Sequence, residues 1–116
     1  MGKKTSTHKK GYVTHKVGSI LEIPVFGIPF KVQFVEEVDK DNSYGETEGP
    51  ERTIKIRQSL PPELLEATIL HEICHAVLYT AGVSELLDEN LEEAIVVAME
   101  NGLSQLYQRK SLSESE

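Results

Sequence analysis

His71-Glu72-Ile73-Cys74-His75 constrains this chain more than any other stretch of it. Side chains four residues apart on an α-helix lie on one face, one turn up, so two imidazoles at this spacing can converge on a single cation. The Glu beside the first His then stands next to the open coordination position, where it can take a proton from water. The pattern has meaning only on a helix with one buried face, and it needs a third ligand from elsewhere in the chain.

The helix is present in the pattern. Ser59-Leu60-Pro61-Pro62-Glu63 supplies a capping hydroxyl, prolines suited to a first turn and an acid for the positive helix end. From there the spacing predicts a helix to about Ala81, with Gly82 as its stop. Leu70, Ile73, Cys74 and Val77 form its apolar stripe, with His71 and His75 beside it. A second helix is predicted from Asp88–Asn90 to about Gln108, on the spacing of Leu91, Ala94, Ile95, Ala98 and Met99. Upstream the period changes to two. Phe30, Val32 and Phe34 alternate with Lys31 and Gln33, Ile54 and Ile56 alternate with Thr53, Lys55 and Arg57, and Pro24, Gly27 and Pro29 mark a bend. Thr53–Arg57 reads as a short strand near the end of a small sheet, and Asp39–Pro50 as a polar loop. Strands followed by two helices give an α+β fold, a small sheet packed on a helix pair.

A chain of 116 residues is one domain with one modest core. Residues 1–17 have the composition of a basic flexible arm, 18–110 form the folded domain, and 111–116 read as a flexible tail. Net charge is −7, yet Lys3, Lys4, Lys9, Lys10 and Lys16 stand in the first 16 residues without an acid, so the remainder carries −7 − 5 = −12. An acidic body is not a nucleic-acid surface, which leaves only weak contact through the arm. No apolar run approaches the ~20 residues of a membrane span. Cys74, the single cysteine, has no partner for an internal disulfide and reads as a small buried residue; with no signal-peptide pattern, a cytoplasmic protein is expected.

Of the four histidines, His8 and His15 fall in the arm and none follows His75, so the third ligand is expected to be a carboxylate. Glu89, Glu92 and Glu93 open the second helix. Glu89 and Glu93 share a face, whereas Glu92 lies about 100° round from Glu93. Helical phase therefore favours Glu89 or Glu93 and turns Glu92 elsewhere.

The stretches Tyr44-Gly45, Ile54-Lys55-Ile56, Thr68 through Ala76, Asp88-Glu89 and Glu93-Ala94 together resemble the small ImmA/IrrE-type zinc metallopeptidases, nearest to the short phage and prophage forms. The likeness spans about residues 28 to 105; its specific parts are the His-Glu-x-x-His helix and the Glu-Ala step of gluzincins. It implies a minimal zincin fold, with a small twisted, mostly antiparallel sheet, an active-site helix and a ligand-bearing helix. It also implies Zn²⁺ on His71, His75 and Glu93, with Glu72 as general base; by helical phase, Glu89 would then stand in support on the face of Glu93. One departure stands out: Val97 occupies the position four after Glu93, where some gluzincins have an acid that orients a ligand His.

The reaction expected on this basis is hydrolysis of a peptide bond in a specific protein substrate, with strand 53–57 pairing the peptide edge-on. Tyr79, one turn past His75, and Tyr44 are the candidate oxyanion donors, although each also suits a packing role. The alternative is a zinc-binding domain of this fold that acts by protein contact, in phage–host interference or regulation. In either case the setting is the cytoplasm, that of the bacterial host if the chain is phage-encoded. The substrate and the oligomeric state are not encoded in any motif.

Overall fold

A computed structural model describes residues 8–9, 12–14, 20–38 and 43–114 of the chain, with side chains for 20–38 and 43–106. Seven strands precede two helices: β1 His8–Lys9, β2 Tyr12–Thr14, β3 Ile20–Val25, β4 Ile28–Val35, β5 Gly45–Glu48, β6 Thr53–Arg57, β7 Ser59–Leu60, α1 Pro62–Thr80 and α2 Glu89–Glu114, with a 3₁₀ turn at Ser84–Leu86. The class is α+β. The main sheet is mixed, in the order β3-β4-β6-β5. β3–β4 and β5–β6 are antiparallel and β4–β6 is parallel.

The period-two reading of β4 and β6 matches the burial. Phe30, Val32, Phe34, Ile54 and Ile56 are all buried on one face, and the register sets Val32 beside Ile54 and Phe34 beside Ile56. At roughly 1.5–3 kcal/mol for each large side chain removed from water, this layer is the main source of stability. β3 and β4 meet in a two-residue turn, Phe26-Gly27, with both residues at positive φ (54° and 77°) as a type I′ hairpin requires. α1 covers the sheet with Leu65 and Ala76, aided by the partly buried Leu64, Ile69, Ile73 and Val77. The stripe predicted from Leu70, Ile73, Cys74 and Val77 is thus rotated. Leu70 and Cys74 stand outside this core, because α1 packs on the sheet with one side and on α2 with another.

Five expectations need correction. Ser59 does not cap α1: it pairs with Thr14 in β7–β2, and α1 starts after Pro61 with no side-chain cap. Thr53–Arg57 is an inner strand, flanked by β4 and β5. Gly45–Glu48, read as loop, is itself the edge strand; the expectation for 39–42 lies outside the described residues. Part of the expected arm holds β1 and β2, and β2 pairs with β7; the rest, with His15 and the termini, lies outside the described residues. At the other end α2 runs to Glu114 rather than stopping near Gln108. Gly82 does end α1, at φ +81°, with its N–H donating to Tyr79 O at 3.0 Å and the Val83 N–H to Leu78 O at 2.9 Å.

Candidate metal centre

α1 presents His71 and His75 one above the other, with ring centroids 5.1 Å apart. α2 enters through Asp88, whose Oδ1 accepts the Leu91 N–H at 2.8 Å and so caps the helix. The cap and the short 3₁₀ turn bring the first turns of α2 against the imidazoles. Glu93 then sits between the rings: its Oε2 lies 3.1 Å from His71 Nε2 and its Oε1 3.1 Å from His75 Nε2. One carboxylate thus faces the Nε2 atoms of both histidines.

These three residues bring one ligand atom each to within 4.8 Å of one another. Zinc bonds of about 2.0–2.2 Å at tetrahedral angles separate neighbouring ligand atoms by roughly 3.3–3.5 Å. The two His–Glu separations of 3.1 Å fall just short of that, so a small outward move of Glu93 would admit an ion. The donor set, two imidazole nitrogens and a carboxylate, is one that zinc accepts at sites with an open position.

The remaining ring nitrogens are also engaged. His75 Nδ1 lies 2.7 Å from Glu92 Oε2, and His71 Nδ1 lies 2.8 Å from Glu100 Oε1. An Nδ1–H donated to a carboxylate fixes the tautomer that leaves Nε2 free to bind metal. Burial alone would lower the pKa of His75. The hydrogen bonds to Glu92 and Glu93, with the nearby charge of Glu72, outweigh it and raise the value above 6.5. Thus Glu92 does not point elsewhere. A turn of about 100° moves a carboxylate from the Nε2 side of an imidazole to its Nδ1 side, which phase relative to Glu93 alone does not reveal. The acid missing at Val97 is replaced by Glu100, seven residues after Glu93 and so nearly on the same stripe. That spacing was the available signal for Glu100. Glu89 is exposed at the edge of the cleft, and Glu100 takes the supporting place expected of it.

Glu72 is only 7% exposed. Its Oε1 is 2.7 Å from the Thr47 hydroxyl, which also lies 3.0 Å from the Glu72 carbonyl; a single proton serves whichever acceptor it faces. Burial, the largest influence, raises the Glu72 pKa above 4.5, against the hydrogen bond from Thr47 and the proximity of His75 and His71. Thr47 belongs to β5, which reaches α1 because Gly45 has no side chain. A Cβ there would stand 2.9 Å from Thr68 Cγ2 and 3.1 Å from Glu72 Cγ. Sequence reading missed Thr47 along with the strand that carries it.

Two hollows meet at Glu72 and His71. A cleft of about 630 Å³ runs past Thr47, His75, Glu93, Tyr79 and Ser84. A pocket of about 280 Å³ lies on the other side, between Tyr44, Leu64, Ala67, Thr68 and Glu100. Tyr79 borders the cleft with its ring over Gly49, where a Cβ would fall 2.5 Å from it. Tyr44 is exposed, with the Arg57 guanidinium 5.6 Å from its ring centre. Cys74 is buried and is not among the residues that converge as a possible metal group; burial, then the charge of Glu100, raises its thiol pKa above 9.0. Comparison with protein families, with curated proteins and with solved structures finds no match to this chain.

Proposed function

We propose that this protein is a zinc-dependent metallopeptidase of the minimal zincin type, in the manner of the ImmA/IrrE-like enzymes it resembles. The observation that carries the reading is the placement of Glu93 between His71 Nε2 and His75 Nε2, with the buried Glu72 opening on the same cleft. His71, His75 and Glu93 would hold the ion, and Glu92 and Glu100 would keep the imidazoles turned to it.

Zinc, when bound, polarises a substrate carbonyl and lowers the pKa of water toward ~7. Glu72 accepts the proton from the attacking water. Its raised pKa makes it a better base than an exposed carboxylate, and Thr47 holds it in place. After attack, Glu72 returns that proton to the leaving amine. Tyr79 and the Ser84 hydroxyl, a buried oxygen without a hydrogen-bond partner, border the cleft where the oxyanion would develop.

The substrate side follows from the sheet. Among the described residues β5 pairs only with β6, and its outer edge borders the cleft. An extended peptide would add to β5, rather than to strand 53–57, and cross Glu72 with a residue on either side in the two hollows. A narrow edge of four residues suits a specific protein substrate more than general digestion.

Metal analysis and a Glu72→Gln variant test the proposal together. Untagged protein should carry about one zinc per chain. Glu72→Gln should keep the metal while its natural substrate accumulates uncut in cells. A variant that keeps both zinc and biological effect would overturn the peptidase reading in favour of a zinc-bearing domain that acts by contact. Protein without zinc affinity would overturn both.

A further inference from the structure

We infer that α2 is also a dimer interface, on which two copies of this chain pair antiparallel. α2 spans 26 residues, yet among its described side chains, 89–106, only Val96 is fully buried. Its acids Glu92, Glu93 and Glu100 face α1. At about 100° per residue, Leu91, the half-buried Ile95, Ala98, Gly102 and Leu106 line up on the side turned away from Glu93 and Glu100, with Glu92 at its border. On that side Leu91 and Leu106 are 49% and 65% exposed, and Leu86, just before the helix, is 81% exposed. Such a stripe over four turns exceeds the scattered apolar residues of an ordinary surface.

A second copy of the same helix fits this face in size and in charge. Leu91 and Ile95 are large and Ala98 and Gly102 small, spaced three or four apart as in a helix–helix seam. Antiparallel pairing sets Leu91 over Gly102 and Ile95 over Ala98 of the partner, and repeats both contacts by two-fold symmetry. The same register brings Leu106 to the Leu86–Leu87 segment at the partner helix's N-terminal end. That end carries Glu85, Asp88 and Glu89, and the only bases of α2 in the sequence, Arg109 and Lys110, stand near the other end. Parallel pairing would set acid beside acid.

The dimer does not depend on the metal reading and is expected with and without chelator.

Light scattering of the full chain at ~100 µM, about an ordinary working concentration for weak homodimers, should give twice the monomer mass of 13.0 kDa. Gly102→Leu is the deciding variant. No atom lies within 4 Å of a Cβ at Gly102 in the single chain, so the monomer accepts it while the pair cannot. Gly102→Leu and Leu106→Glu should both be monomeric with unchanged helical circular dichroism. A monomeric wild type, or a dimer that survives both variants, overturns the proposal. A mixture of Leu91→Cys and Gly102→Cys proteins should form the mixed disulfide, with neither forming a disulfide alone. Homodisulfides from either variant, or none in the mixture, would overturn the antiparallel register.

Discussion

Each imidazole at the site offers two nitrogens, and the acids of α2 divide between them. Glu93 takes both Nε2 atoms, Glu92 takes Nδ1 of His75, and Glu100 takes Nδ1 of His71. This division predicts graded effects on metal affinity. Glu93→Ala should leave no measurable zinc at micromolar metal. Glu92→Ala and Glu100→Ala should each weaken binding by about 10–100-fold, as losing the group that orients a ligand does elsewhere. Competition with a chromophoric chelator measures all three, and equal loss in the three variants would refute the division. A second prediction concerns Glu72. Because burial raises its pKa above 4.5, the folded chain keeps that proton to higher pH than the unfolded chain does. Stability of the metal-free protein should therefore fall, relative to Glu72→Gln, as the pH climbs from 4.5 through the raised value. Urea midpoints of the two proteins in chelator should diverge in that range, with the variant the more stable above it. Parallel midpoints across the range would show that Glu72 carries no burial penalty. At this scale the candidate ligands were legible in the sequence because helix periodicity sets His71, His75 and the Glu89/Glu93 face. Thr47 and Glu100 were not: their roles depend on which nitrogen or oxygen a neighbouring element presents.

β5 shows how an element can hide from its own sequence. Gly-Glu-Thr-Glu has no apolar alternation, since all four residues are half-buried. What makes it a strand is pairing with β6, where Glu46 opposes Lys55 and Thr47 opposes Ile54. Phe30, Phe34 and Ile56 declare their strands by contrast, because each alternates with polar neighbours across a buried face. The helices were equally legible in existence and less so at their ends. Pairing of Ser59 with Thr14 displaces the expected cap, and nothing in the local pattern of residues 109–114 marks where α2 stops. β5 is also the element that presses Thr47 onto Glu72, and it does so through Gly45. Gly45→Ala would place a methyl group 2.9 Å from Thr68 and 3.1 Å from Glu72. Neither neighbour is a free side-chain tip, so α1 and β5 must part, at a cost of about 1–3 kcal/mol. Thermal unfolding should register the loss, and turnover should fall further than stability explains, because Glu72 loses its Thr47 contact. An unchanged melting temperature would mean that the strand is not held as tightly as this packing requires.

Across the whole molecule the core and the candidate centre are stabilised by different means. The sheet and the inner face of α1 share one apolar layer, and they would hold together without any ion. α2 is outside that layer. In the single chain, the buried Val96, half-buried neighbours such as Ile95 and Met99, and a set of acids join it to α1, and three of those acids lie close to one another around the two imidazoles. Without a cation the carboxylates repel one another. Zinc on His71, His75 and Glu93 would link the two helices directly and stabilise the folded state by about 2.7 kcal/mol at a hundredfold excess over its Kd. The gain should be local first. Amides of α2 should open at lower free energy than those of β4 and β6, since exchange follows buried contacts. Chelation should therefore speed hydrogen exchange in residues 91–103 strongly and leave residues 30–35 and 54–57 nearly unchanged until global unfolding. The comparison holds at fixed protein concentration, where any pairing of copies contributes equally to both arms. Uniform acceleration over the chain would mean that metal and core form one cooperative unit. No acceleration at all would mean that α2 owes nothing to the ion, and the helix would then need another source of stability along its exposed side.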